Sequence, residues 1–135
     1  MLASGLPDHV ADDEDLVRFL TSSSLFNAKG AKPAAFLPSE KDRETSVFRH
    51  GGEPIAAMWA IGEEHAVGTR TLHGVAIVKA RDVRTASLEV DADEPPPLHA
   101  VIRGWPWLDQ DRELQKAQQK ERSLVLASKA TVLRR

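Results

Sequence analysis

Five segments of the chain alternate apolar and polar residues, or carry short apolar runs, and turn-forming residues separate them. This pattern predicts β-strands at 16–20, 45–49, 71–80, 85–92 and 98–105. The first segment also fits a short helix capped by Asp12 or Asp13, but Val17 and Phe19 share one side of an extended chain, which favours a strand. The connections after 71–80 and 85–92 are short, so we expect those strands to form an antiparallel meander.

Two other segments have helical spacing. Residues 54–66 begin with a proline, are rich in alanine and place Ile55, Met58 and Trp59 on one side. Residues 109–133 form the longest predicted helix, and Leu124 and Val125 are expected to be buried against the sheet. The predicted face of this helix consists of Leu114, Ala117, Glu121, Leu124, Val125, Ser128 and Val132.

These elements predict a small α+β fold. We expect a mainly antiparallel sheet of about four strands, with one face covered by the central helix and the long C-terminal helix. The chain of 135 residues fits a single domain, 1–135, with a loose N-terminal lead-in at about 1–14. Residues 22–38 lack sustained periodicity and are expected to form a long loop with apolar anchors.

Composition excludes several classes of protein. With 41% hydrophobic and 28% charged residues, the chain has the composition of an ordinary folded protein. The absence of cysteine excludes disulfides and thiolate chemistry and is consistent with a reducing compartment. No apolar run is long enough to cross a bilayer, and the N-terminus does not resemble a secretory signal. We therefore expect a cytoplasmic protein that does not enter a membrane.

The net charge of −2 is distributed unevenly along the chain. Residues 1–20 carry five acids and one base, whereas residues 112–135 carry two acids and seven bases. A basic end can bind phosphate, but lysine and arginine are also favoured near helix C-termini because they interact with the helix dipole. Nucleic acid therefore ranks below other partners.

Five histidine and arginine side chains are candidates for binding an anionic ligand. In the segment 98–105, alternation places His99 and Arg103 on one strand face, and His73 has the corresponding parity in its own strand. If those strands pair with these faces together, His73 and His99 become neighbours. Arg49 and His50 precede two glycines, which allow backbone amides to approach a ligand. The structural alternatives are a histidine packed in a strand and a hairpin corner with a solvated arginine.

Trp105 and Trp107 flank a proline at the end of the last predicted strand. Exposed tryptophans often anchor protein partners, whereas buried ones close the end of a core. We expect Trp105, which adjoins the strand, to be the more buried of the two. Trp107 is then the better candidate for partner binding.

Motifs that would define an enzyme are absent from the sequence. It contains no P-loop, no dinucleotide-binding fingerprint and no nucleophile elbow. The acidic and histidine residues lack the spacing of a zinc or calcium site, so we expect neither a metal nor a cofactor.

Two functions are consistent with these observations. The first is a non-catalytic binding or accessory protein that acts through a protein partner. The alternative is a small enzyme or receptor for a phosphorylated or nucleotide ligand, built from the five histidine and arginine candidates. The two hypotheses differ in whether those five side chains converge on one pocket. The sequence does not identify the ligand or the oligomeric state.

Overall fold

The computed structural model describes residues 2–135 and contains three α-helices, two short 3-10 helices (Ser23–Leu25 and Pro33–Ala35) and eight strands. All five predicted strands are present. The first two have nearly the predicted bounds, and the other three are shorter than the sequence pattern indicates. In chain order the elements are β1 (Asp15–Leu20), β2 (Phe26–Asn27), β3 (Gly30–Ala31), β4 (Thr45–Arg49), α1 (Ile55–His65), β5 (Gly74–Lys79), α2 (Ala80–Thr85), β6 (Glu89–Ala92), β7 (His99–Arg103), α3 (Arg112–Lys129) and β8 (Thr131–Arg134).

Six of the strands form one antiparallel sheet in the order β6-β7-β4-β1-β5-β8, and β2 and β3 form a small separate hairpin. The α+β class and the antiparallel sheet are confirmed, but the sheet has six strands rather than about four. The additional edge strand is β8, which the sequence pattern had assigned to the end of the C-terminal helix. Ala130 is already extended, and the β-branched Thr131 and Val132 pair with β5.

The expected meander is wrong for the step from β5 to β6, whereas β6 and β7 pair as antiparallel neighbours, as expected. The segment between β5 and β6 folds into the short helix α2 instead of a hairpin turn. This helix carries the chain across one face of the sheet, so β6 pairs only with β7 at the far edge. As a consequence, β4 and β1 lie between the two histidine-bearing segments.

The two long helices cover opposite faces of the sheet, not the same face as expected. Successive residues of β1 explain this arrangement, because both sides of the strand are apolar and both must be covered. Leu16 and Leu20 belong to the core cluster that contains Leu126 of α3. Val17 and Phe19 belong to the cluster that contains Met58 of α1.

The buried face of α3 differs from the predicted one. Leu124 is 54% exposed and Val125 is only partly buried, whereas the adjacent Leu126 is fully buried. Ala127 is also buried, and three polar residues, Gln115, Gln119 and Ser123, complete the buried face. Because they repeat every four residues, they share one side of the helix. The hydrophobic pattern could not identify this side, since three of its members are polar.

Gly62 allows α1 to pack closely on the sheet. A Cβ atom built at this position would lie 2.7 Å from the ring of Phe19 and 2.9 Å from Leu72. Such distances are shorter than van der Waals contact, so a side chain here would push the helix away from β1.

No helix within residues 2–135 combines the length and the apolar character needed to cross a membrane. The N-terminal segment is in contact with the folded body. Val10 is buried in the core. Ser4 donates hydrogen bonds to the Glu94 carboxylate from its hydroxyl and its backbone amide.

Candidate functional site

Arg49 is buried, and its guanidinium is occupied by contacts within the chain. Its side chain is fully buried, and its guanidinium donates to both carboxylate oxygens of Glu14 at 2.8 and 2.9 Å. The remaining hydrogen bonds go to the carbonyl oxygens of Pro7 and His9. Arg49 therefore fastens the N-terminal segment to the sheet.

His73 lies apart from the other candidates, and His50 shares a cavity with Arg49 but not with His99 or Arg103. His50 follows β4 and lines a shallow cavity with Gly51 and Gly52, both of which have positive φ values, as expected for a tight corner. His73 precedes β5, and its amide donates to the carbonyl oxygen of Leu20. Since two strands separate β5 from β7, His73 and His99 are not neighbours.

Arg103 shares a face of β7 with His99, as predicted, but it is paired with carboxylates. Its guanidinium lies 2.9 Å from Glu44 and 3.3 Å from Asp91. The five predicted anion-binding residues therefore do not line one pocket. Of the five residues, His99 is the one that contacts both a hydroxyl group and a carboxylate.

His99 bridges Ser46 and Asp93. Its Nε2 atom lies 2.6 Å from the Oγ atom of Ser46. Its Nδ1 atom lies 2.9 Å from the carbonyl oxygen of Asp93 and 3.3 Å from a carboxylate oxygen of the same residue. Both groups near Nδ1 are acceptors, so Nδ1 carries the proton and Nε2 is free to accept a hydrogen bond from the Ser46 hydroxyl.

Strand pairing explains this contact. Phe48 lies opposite His99, and Ser46 lies opposite Val101, so Ser46 and His99 are diagonal neighbours on one sheet face. The ring of Phe48 packs edge-on against the imidazole at 5.2 Å and limits its movement. The sequence shows the parity of each strand but not their register, and this is why Ser46 was not identified.

Arg18 occupies the gap where β4 separates from β1. Only Leu16 and Val17 pair with β4, and beyond them the guanidinium of Arg18 takes the place of the backbone ladder. Its Nε donates to the Ala35 carbonyl and its Nη1 to the Ser46 carbonyl, each at 2.8 Å. Burial lowers the pKa of Arg18 to about 10, and the nearby Arg70 contributes to this shift. Arg18 forms no ion pair with a carboxylate of residues 2–135.

These groups open into one cavity of about 430 Å³, which we call the polar pocket. Three carboxylates and one guanidinium line it. The lining residues are Arg18, Ser39, Asp42, Glu44, Ser46, Asp93, His99 and Val101. A serine, an imidazole base and a carboxylate in hydrogen-bonded order are the groups used in nucleophilic catalysis, and they also serve simply to tie two strands together.

A second cavity, of about 570 Å³, lies beside Trp107, and we call it the Trp107 groove. Its walls are the loop after β3 and the first half of α3. The lining residues are Lys32, Pro33, Ala34, Leu37, Pro38, Glu40, Trp107, Arg112, Gln115, Lys116, Gln119 and Lys120.

The buried polar face of α3 holds both walls of the groove in place. Gln115 accepts a hydrogen bond from the Leu108 amide at 2.7 Å, and Gln119 donates to the Pro106 carbonyl at 2.8 Å. These bonds fix the backbone on either side of Trp107. The hydroxyl of Ser123 donates to the carbonyl oxygen of Pro33 at 2.8 Å and fixes the opposite wall.

Trp105 is 4% exposed and belongs to the core, whereas Trp107 is only partly buried. The predicted order of burial is confirmed. The guanidinium of Arg43 lies over one face of the Trp107 ring, 4.8 Å from the centroid. This stacking is a cation–π contact.

Residues 37–44 form the partition between the two cavities. Leu37, Pro38 and Glu40 line the Trp107 groove, whereas Ser39, Asp42 and Glu44 line the polar pocket. The partition is closed on itself, because the Ser39 amide donates to the Glu44 carbonyl and the Arg43 amide donates to the Ser39 carbonyl.

Within residues 2–135, no cluster of three or more acidic or histidine side chains is arranged to hold a metal ion. Comparisons with protein-family models, with curated proteins and with solved structures gave no match. Functional inference therefore depends on the two cavities and their side chains.

Proposed function

We propose that this protein is a binding or accessory protein that acts through a protein partner. The Trp107 groove receives an acidic segment of that partner, with one apolar side chain inserted beside the indole. The observation that carries the proposal is a tryptophan held between two glutamine hydrogen bonds in an apolar cavity whose rim is cationic.

The fixed position of Trp107 supports a binding role. Gln115 and Gln119 hold its backbone from both sides, and Arg43 restricts its ring. A contact surface that is ordered before binding loses little entropy when the partner arrives. Tryptophan in such a surface often contributes much of the binding energy.

Charge indicates the kind of partner. Arg112, Lys116 and Lys120 repeat every four residues of α3 and form a row about 12 Å long on the groove side. Arg112 is paired with Glu40, but Lys32, Lys116 and Lys120 form no ion pair with a carboxylate of residues 2–135. Unpaired like charges at this spacing slightly destabilise a helix, and an acidic partner would relieve the repulsion.

A protein segment fits the groove better than a single-stranded nucleic acid. Proteins that bind single strands usually present several aromatic rings for successive bases. Trp107 is the one aromatic residue lining this groove, and Arg43 already covers one of its faces. Leucine, proline and alanine supply the remaining apolar contacts.

The alternative function, a receptor or enzyme for a phosphorylated ligand, receives less support. It required Arg49, His50, His73, His99 and Arg103 to converge. Arg49 is saturated by Glu14 and backbone carbonyls, and Arg103 is paired with two carboxylates. We therefore do not propose a shared anion site for the five residues.

The proposal is tested by selecting peptides from a random display library on the immobilised protein. We expect enrichment of peptides that combine several Asp or Glu residues with one large apolar residue. Trp107→Ala should weaken the binding of a selected peptide by about 2 kcal/mol or more. The matched control is Leu124→Ala, which removes an exposed apolar side chain from α3 outside the groove.

Reversing the charge of a lysine in the groove tests the proposal in a second way, which does not depend on the packing of Trp107. Lys116→Glu should weaken the same peptide, whereas Lys29→Glu, an exposed lysine outside the groove, should not. Selection without acidic enrichment, or equal binding by the Trp107 and Leu124 variants, would contradict the proposal. Tighter binding of a thymidine oligonucleotide than of any selected peptide would favour a nucleic-acid ligand instead.

A further inference from the structure

The polar pocket carries an inference that goes beyond partner binding and does not depend on it. We infer that Ser46 is a nucleophile that His99 activates, and that the pocket cleaves small carboxylic esters that are neutral or carry a cationic group. The inference is based on the hydrogen-bonded series Ser46, His99, Asp93 and on the guanidinium of Arg18 beside it.

The proton positions favour activation of the serine. Nδ1 of His99 donates toward the two oxygens of Asp93, so the lone pair of Nε2 faces the Ser46 hydroxyl at 2.6 Å. A base in hydrogen-bond contact with a hydroxyl can remove its proton during attack. Asp93 is a positioning residue, because it fixes the tautomer of His99 and stabilises the imidazolium that forms.

Accessibility also fits a reacting group. Ser46 is exposed on the sheet surface, whereas the His99 side chain is only 16% exposed. A purely structural hydrogen bond between strands would not need to open into a cavity. Here the hydroxyl, the imidazole and the carboxylate all line the polar pocket.

Arg18 supplies a stabilising charge for the transition state. Its Nε and Nη1 atoms each donate one hydrogen bond to a backbone carbonyl, which leaves other N–H groups of the guanidinium for a substrate oxygen. Fixed hydrogen-bond donors that face the developing negative charge contribute much of the transition-state stabilisation in acyl transfer. Burial among backbone groups holds this guanidinium in place without a competing carboxylate.

The reaction balances without a cofactor. The Ser46 oxygen bonds to the ester carbonyl carbon, its proton moves to His99, and the carbonyl electron pair moves to the oxygen beside Arg18. Collapse of this tetrahedral intermediate breaks the ester bond, and the leaving alcohol takes the proton from His99. Water then gives its proton to His99 and attacks the acyl-serine, which releases the carboxylic acid and returns the proton to Ser46.

The pocket walls limit the substrate class. Asp42 and Asp93 line the pocket without an arginine partner among residues 2–135, whereas Glu44 is paired with Arg103. The two remaining carboxylates outnumber the one guanidinium of Arg18, which disfavours an anionic ester. The cavity of about 430 Å³ accommodates a small molecule. A neutral acetate ester satisfies both conditions.

The direct test treats the folded protein with a fluorophosphonate and maps the adduct by mass spectrometry. We expect the adduct on Ser46 and none in Ser46→Ala. His99→Gln should slow labelling by about 100-fold or more, in the range attributed to general base catalysis. Ser23→Ala is the matched control, since Ser23 is an exposed serine outside the polar pocket, and its labelling rate should equal that of the wild type.

Conservative variants separate a positioning role of Asp93 from a structural one. Asp93→Asn keeps the size of the side chain but removes the charge that stabilises the imidazolium during attack, so labelling should slow. Asp93→Glu keeps the carboxylate and should recover part of the rate, and both variants should unfold at the same urea concentration as the wild type if Asp93 acts on His99 rather than on the fold. Hydrolysis of 4-nitrophenyl acetate should follow the same pattern across the variants.

An adduct on Ser46 that depends on His99 would support the inference. The absence of an adduct on Ser46, or labelling that is equally fast in His99→Gln, would overturn it. Neither result bears on peptide binding in the Trp107 groove, so the two proposals can fail separately.

Discussion

Replacing Arg49 by methionine should destabilise the protein more than any exposed ion-pair substitution. The change removes a fully buried guanidinium and its hydrogen bonds to Glu14, Pro7 and His9. It leaves a partly buried carboxylate and two carbonyl groups without their donor. Removing one partner of a buried ion pair typically costs about 3–5 kcal/mol, and we expect a loss of unfolding free energy in this range.

The same interaction can be measured by a double-mutant cycle. Glu14→Gln leaves the buried guanidinium without its counter-charge and should cost a comparable amount. The double variant Arg49→Met/Glu14→Gln should lose much less than the sum of the two single losses, because the residues act as one unit. Urea unfolding followed by tryptophan fluorescence gives each free energy.

The exposed pair Arg103 and Asp91 provides a matched control. Their side chains are 46% and 49% exposed, and the ion pair is 3.3 Å long. The same cycle with Arg103→Met and Asp91→Asn should give a coupling energy of at most about 1 kcal/mol. An Arg49→Met loss below about 1 kcal/mol, or equal coupling in the two cycles, would refute the assignment of Arg49 as a structural anchor.

Acid should remove the contribution of Glu14. Burial alone would raise its pKa, but hydrogen bonds from Arg49 and from the Ala11 amide outweigh burial and hold the pKa below the ordinary value of 4.5. The carboxylate therefore stabilises the fold above its unfolded pKa, and this stability is lost as pH falls through the lowered folded pKa. In Glu14→Gln the decline of unfolding free energy with acid should be smaller than in the wild type.

Two further substitutions test the packing of the helices. Leu126→Ala should cost about 2–5 kcal/mol because the side chain is fully buried, whereas Leu124→Ala should cost less than about 0.5 kcal/mol, and equal losses in urea unfolding would contradict the assigned face of α3. Gly62→Ala places a methyl group against Phe19 and should reduce the unfolding free energy, because overpacking at about 1–3 kcal/mol exceeds the helix-propensity gain of about 1 kcal/mol. A more stable Gly62→Ala variant would show that α1 can shift without loss.

The local pattern predicted the strands β1, β4, β5, β6 and β7. Each is a short run with alternating or continuous apolar residues, and turn formers bound each run. β8 was not identified, because Val132 continues the helical spacing of α3. Pairing with β5 decides its conformation, and a pairing distant in sequence leaves no trace in local periodicity.

The candidate sites show the same limit. His99 and Trp107 were selected from the sequence, because histidine and tryptophan are uncommon and sit at a strand and a strand end. Ser46 and Arg18 are an ordinary serine and an ordinary arginine in strands. Their significance arises from register and from the gap between β1 and β4, which no single-sequence pattern encodes.

The partition 37–44 is a wall of both cavities, so it connects binding in one cavity with binding in the other. Glu40 faces one cavity and Asp42 the other, while Arg43 between them stacks on Trp107. If an occupant of the Trp107 groove changes the conformation of this segment, it also changes the walls of the polar pocket. Linkage requires the effect to be mutual, so a small ligand in the pocket would alter partner affinity by the same factor by which the partner alters ligand affinity. A segment of eight residues would then be enough to make one binding event report on the other.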